Sequence, residues 1–278
     1  MKRSIRFSIN RISAPSIPFD AFLAMCKRLG VDSVEIRNDL PGVELQDHAL
    51  PAVIKAAAAS QGITIRLINA LYPFDVFGPE LEAKAVALAR YAQQCGAEAL
   101  VMCPLNSIDD RRSAAERRSG LVASLRLLRP ILEDHGVQGL VEPLGFQECS
   151  LRRKSDAVKA IHEVGGVGTF RLVHDTFHHY LAGEDLFFPE LTGLVHISGV
   201  ESPALADEQM RDEHRVLVGE ADRLDNIGQI KALVDRGYTG VVSFEPFARE
   251  IMDAKNSEEL LKTSMDYLRT HVCGVCNV

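Results

Sequence analysis

Leu172-Val173-His174-Asp175 is a short apolar run that closes on a carboxylate. Leu140-Val141-Glu142 upstream, and Leu194-Val195-His196 and Val241-Val242-Ser243-Phe244-Glu245 downstream, repeat the pattern. Runs this short and this rich in Val, Leu and Phe read as buried strands, and a buried strand that ends in a charge needs a partner for it. If the strands lie parallel in one sheet, Glu142, Asp175, His196 and Glu245 emerge at one edge. Three carboxylates and an imidazole make a hard-cation site with open positions, suited to chemistry on a small oxygen-rich molecule.

The rest of the chain supplies the sheet. Strand candidates span Ile5–Asn10, Ser33–Arg37, Ile63–Asn69, Ala99–Cys103, Gly139–Glu142, Phe170–Asp175, Leu194–Ser198 and Val241–Glu245. Between them lie helical patterns over Phe19–Leu29, Leu50–Ser60, Glu80–Cys95, Ala114–Asp134, Ser155–Glu163, Asp225–Asp235 and Ser257–Thr270. Leu121, Leu125 and Leu128 show the three-to-four spacing of a buried helix stripe. Gly30, Gly62, Gly96, Gly136, Gly165 and Gly237 stand at helix exits. This alternation predicts an α/β fold, a (β/α)8 TIM barrel forming one domain over residues 1–278. An open doubly wound sheet usually carries a glycine-rich loop after its first strand, whereas here Asn10-Arg11-Ile12-Ser13-Ala14-Pro15 follows. The long irregular stretch from Gly199 to about Leu224 is a top-face loop in such a barrel.

The chain is 46% hydrophobic and 25% charged, with a net charge of -7. That balance predicts a globular protein and argues against a phosphate-backbone binder, so no nucleic-acid partner is expected. No apolar stretch reaches membrane-spanning length and no signal core follows the basic start, so the expected location is the cytoplasm with no membrane partner. The cysteines are scattered, as suits a reducing compartment. Cys273-Gly-Val-Cys276 lacks the context of a redox or zinc motif and reads as incidental. Oligomeric state is not legible.

A divalent ion such as Mn²⁺, Zn²⁺, Co²⁺ or Mg²⁺ fits the Glu/Asp/His/Glu set. An α-hydroxy ketone would chelate it through carbonyl and hydroxyl oxygens. One carboxylate could then take the α-proton and the other return it, so Glu142 and Glu245 are the expected catalytic pair. Each residue also has a structural alternative: Glu142 and Glu245 as ion pairs at the barrel mouth, Asp175 as a helix N-cap, His196 as a core histidine. On the same face, His178 and Arg215 are expected to contact substrate, with Glu35 and Asn69 as further substrate-binding candidates and Asn10 and Asn106 near them. Tyr72, Phe74 and Phe77 are placed to wall off water.

Arg6-Phe-Ser-Ile-Asn-Arg11, Gly139-Leu-Val-Glu-Pro-Leu-Gly-Phe146, Asp175-Thr-Phe-His-His179, Leu194-Val-His-Ile-Ser-Gly-Val-Glu201 and Phe244-Glu-Pro-Phe247 give the chain a further reading. In these stretches it resembles the xylose isomerase-like TIM barrel superfamily, and the resemblance covers nearly the whole chain. Within that superfamily the wording is similar to the inosose isomerase branch of inositol catabolism. The resemblance implies metal ligands at Glu142, Asp175, His196 and Glu245, proton-transfer glutamates at 142 and 245, and substrate contacts at His178 and Arg215. It also implies a small polyol ketone as substrate. Ketose 3-epimerase, hydroxypyruvate isomerase and keto-polyol dehydratase activities share this chemistry, and a sugar-binding barrel without turnover is the non-enzymatic alternative.

Overall fold

The computed structural model describes residues 5–40, 44–45 and 48–273. Eight parallel strands close into a barrel in sequence order, β1 pairing with both β2 and β8. They are β1 Arg6–Asn10, β2 Ser33–Arg37, β3 Thr64–Leu71, β4 Ala99–Met102, β5 Gln138–Val141, β6 Phe170–Asp175, β7 Thr192–Ile197 and β8 Val241–Phe244. The outer ring is α1 Phe19–Arg28, α2 Pro51–Gln61, α3 Pro79–Cys95, α4 Ala114–His135, α5 Lys154–Glu163, α6 Thr176–Ala182, α7 Asn226–Asp235, α8 Arg249–Met252 and α9 Ser257–Cys273. Among the described residues no helix is long and apolar enough to cross a membrane.

The period-2 alternation of a strand decides what faces the barrel axis. Leu67, Ala99, Val101, Leu140, Val173, Leu194 and Val241 form one buried cluster inside the barrel. Their strand neighbours of opposite parity, such as Leu100, Val141, Leu172, Val195 and Val242, pack outward against the helices. Continuing the inward parity to the C-terminal ends of the strands gives Asn10, Arg37, Asn69, Glu142, Asp175, His196 and Glu245. All are buried. The apolar plug thus fills the lower barrel, and a ring of polar groups caps it.

Proline helps stop the strands at that ring. Glu142 is followed by Pro143 and Glu245 by Pro246, and a residue without an N–H cannot extend the ladder. Ser113 starts α4 with a reciprocal capping box to Glu116. Two short helices, α6 and α8, lie where no helix is expected from the sequence; each is under three turns, too short for a 3.6-residue period to show. Phe74 is fully buried in the main core, whereas Tyr72 is exposed. Cys273 ends α9, and Cys276 lies outside the described residues.

Candidate metal centre

Glu142, Asp175, His196 and Glu245 each offer a ligand atom, and these atoms all lie within 4.8 Å of one another, every residue buried. A cation with bonds of about 2.0–2.2 Å places its ligands roughly 3–4 Å apart, so small side-chain adjustments would close this set around one ion. The donor chemistry fits as well: three carboxylates in a buried place require positive charge, and the set combines hard oxygens with one imidazole nitrogen.

His196 is oriented from both sides. Its Nδ1 lies 2.8 Å from Glu142 Oε1 and 3.3 Å from Glu245 Oε2, while Nε2 lies 3.0 Å from Glu35 Oε2. Burial disfavours the imidazolium, but Glu245, Glu35 and Glu142 outweigh it and hold the pKa well above the ordinary value. Asp175 divides its two oxygens. Oδ1 accepts from Phe177 N at 2.8 Å and His178 N at 3.1 Å, capping α6, and Oδ2 accepts from Arg215 at 2.6 Å. The N-cap alternative for Asp175 therefore holds alongside the cluster, because the two roles use different oxygens.

Glu245 is the most crowded member. Oε1 accepts from Asn10 at 3.1 Å and Arg37 at 2.8 Å, and Oε2 from Arg215 at 3.2 Å. Burial and the Glu142 charge push its pKa up to about 7, against the pull of His196, Arg215 and Arg37. Glu142 Oε2 lies 3.3 Å from the Cys103 thiol, which burial and the Glu142 charge hold protonated, so the sulfur donates.

The structure places the other expected residues as follows. His178 is buried, its ring edge-on to Phe146 and Phe177, and its Nδ1 has no hydrogen-bond partner. Burial lowers its pKa despite Asp175, so the ring is neutral and able to meet a hydroxyl. Gly145 lets the β5–α5 loop lie against α6: a Cβ there would stand 2.3 Å from the His178 carbonyl oxygen.

Arg215 comes to the centre of the cluster. Beyond Asp175 and Glu245, it donates to Ser198 Oγ at 2.9 Å and Asp212 at 3.1 Å, and its guanidinium sits 5.0 Å from the Phe177 ring centroid and 4.7 Å from that of Phe247. Glu35 lies behind His196, where Asn10, Asn69, Ser243 and His196 supply its hydrogen bonds. Burial raises its pKa, but the His196 charge and the donors from His196, Ser243 and Asn69 bring the net pKa below the ordinary carboxylate value. Asn69 reaches the cluster only through Glu35, donating to it at 2.7 Å.

Arg37 is a member that the sequence reading passed over. It bridges Glu245 at 2.8 Å and Asp39 at 2.6 Å, and the Phe247 ring covers it at 5.2 Å. Its signal was parity: Ser33, Glu35 and Arg37 share one face of β2, so a charge two residues after an inward glutamate points inward too.

Residues 23–271 match a family model described as xylose isomerase-like TIM barrel. Among solved structures, a xylose isomerase domain-containing protein from Salmonella typhimurium LT2 is 35% identical with a TM-score of 0.89, over 96% of this chain and 98% of that one. The IolI protein, whose structure holds a zinc atom, is 23% identical with a TM-score of 0.84, over 99% and 100%. D-psicose 3-epimerase from Clostridium cellulolyticum H10 is 17% identical with a TM-score of 0.76, over 96% and 99%. No curated protein matches by sequence.

Proposed function

This chain belongs to the xylose isomerase-like TIM barrel family, and from that premise we propose that it is a divalent-metal-dependent isomerase of a cyclic polyol ketone. The substrate proposed is inosose (2-keto-myo-inositol), interconverted with a neighbouring keto-inositol through a cis-enediol. The observation that carries the reading is the convergence of Glu142, Asp175, His196 and Glu245 within 4.8 Å at the C-terminal mouth of the barrel. The structure of the IolI neighbour holds a zinc atom, which supports a metal at this place. A bound divalent cation would polarise adjacent carbonyl and hydroxyl oxygens of the substrate.

The chain's own residues supply the rest. Asp175 and His196 would anchor such a cation. Glu142 and Glu245 leave β5 and β8, strands on different sides of the mouth, so one carboxylate can remove the α-proton and the other can deliver it to the neighbouring carbon. His178, neutral and with a free Nδ1, is the group positioned to meet a substrate hydroxyl. Arg215 and Glu35 act here as holders of the ligands, the first on Asp175 and Glu245, the second on His196.

Incubation with 2-keto-myo-inositol and Mn²⁺ in D₂O, followed by NMR, tests this: ring deuteration and a new ketone signal are expected. Neither signal appearing would sink the inosose assignment. A 3-epimerase is the second reading, favoured by the two-sided placement of the glutamates and by epimerases among the structural neighbours. Epimerisation shows in the same experiment as deuteration with the ketone position kept. Dehydration shows as an ultraviolet-absorbing unsaturated diketone.

A further inference from the structure

A groove of about 660 Å³ opens between the start of α4 and the β5–α5 loop. Arg112, Arg117, Arg118, Arg152 and Arg153 line it, with Asp156 as the acidic member of the lining. This is a concentrated positive surface on a chain whose net charge is -7. The volume suits a metabolite-sized ligand.

The charges are unequally spent. Arg112 is paired with Asp110 and Asp75, Arg117 with Asp110, and Arg118 with Glu163. Arg152 donates only to backbone carbonyls, those of Gly145 at 2.9 Å and Leu181 at 3.1 Å. Arg153 is exposed and makes no ion pair among the described residues. Asp156 is answered by Lys159 at 3.3 Å. The groove therefore keeps two guanidinium charges without a carboxylate. It also keeps one buried atom without a hydrogen bond, Ser150 Oγ.

The groove is separate from the proposed catalytic residues. None of its lining residues is a candidate ligand, and its inner wall is tied by the Asn106–Cys149 bridge and by Ser150 N donating to Leu105 O at 2.9 Å. The amides that open α5 are already taken, Lys154 N and Ser155 N both donating to Glu184, so an occupant would be held by side chains. Planar guanidinium forks and a hydroxyl match tetrahedral anionic oxygens, and two uncompensated positive charges match a dianion.

We propose that this groove binds the phosphate group of a small phosphorylated metabolite. The probe is inorganic phosphate, titrated by calorimetry at low ionic strength into the Glu142→Gln protein, which lacks one candidate metal ligand, and into the same protein carrying Arg153→Glu. Arg153 has no partner to lose, so the charge reversal leaves the fold intact, as circular dichroism will verify. Saturable binding that persists in Glu142→Gln and weakens by about tenfold or more on adding Arg153→Glu is the expected result. No saturable binding in the Glu142→Gln protein, or binding indifferent to Arg153→Glu, would overturn the proposal.

Discussion

Glu35 takes the Nε2 side of His196 at 3.0 Å, which turns Nδ1 toward Glu142 and Glu245. A carboxylate behind a ligating imidazole fixes its tautomer and ring plane and makes the other nitrogen a better donor. From its position beneath the cluster Glu35 would orient His196 without contacting substrate.

Replacing Glu35 with Gln keeps the shape and removes the charge. The expected outcome is a loss of about 10- to 100-fold in metal affinity, the usual cost of losing such a partner. Competition against a chelator of known affinity measures it. Glu35→Ala should also destabilise the metal-free protein by about 3–5 kcal/mol, because a buried charged partner is stripped away. Urea denaturation reads that, and equal stability of the Ala variant and wild type would refute the orienting role.

Metal uptake should depend on pH, with a sign set by the ligands. In the metal-free protein the imidazole of His196 is held protonated well above its ordinary range, and Glu245 titrates at about 7. A cation must displace those protons, so affinity is expected to rise with pH through neutrality and uptake to release protons. The same raised pKa values favour the metal-free fold at low pH. The Glu245 contribution is complete below about 4.5 and is lost as pH rises through about 7. Calorimetry in buffers of different ionisation enthalpy counts the released protons, and a pH-independent affinity would contradict the assignment.

Outside the cluster a second titration runs the other way. Lys154 is buried with its Nζ 2.6 Å from His174 Nδ1, and burial depresses its pKa to about 7, only partly opposed by Glu184. A depressed pKa gives stability that is present above about 10.5 and is lost as pH falls through about 7. Wild type should therefore gain stability across that interval, while Lys154→Met should be nearly flat there. Urea midpoints at a series of pH values check this; parallel profiles for the two proteins would exclude Lys154 as the source.

The barrel was legible because its evidence is local and repeated: apolar runs too short for helices, each followed by a helical stripe, as in Leu121, Leu125 and Leu128. Glu142, Asp175, His196 and Glu245 were legible for the same reason, since a parallel sheet brings its strand ends to one edge and the register pairs Asp175 with His196. Roles that depend on who stands behind whom were not. Nothing local tells that Glu35 faces His196 across 161 positions, or that Arg37 reaches Glu245 across 208. Arg215 was found as a top-face arginine, yet its loop folds inward through the Gly199–Val216 bridge and brings it between two carboxylates.

That placement of Arg215 leads to a prediction that separates holding from gripping. Its guanidinium contacts Asp175 at 2.6 Å and Glu245 at 3.2 Å, is buried between Phe177 and Phe247, and is kept charged by those carboxylates against its burial. Arg215→Met fills similar volume without charge, leaving two buried carboxylates less compensated. The metal-free variant should lose about 3–5 kcal/mol, the cost of breaking a buried pair. Added cation can neutralise the same carboxylates, so the variant should gain more from metal than wild type does, seen as a larger upward shift in melting temperature on adding Mn²⁺. A residue that only gripped substrate would leave both quantities unchanged and raise KM alone.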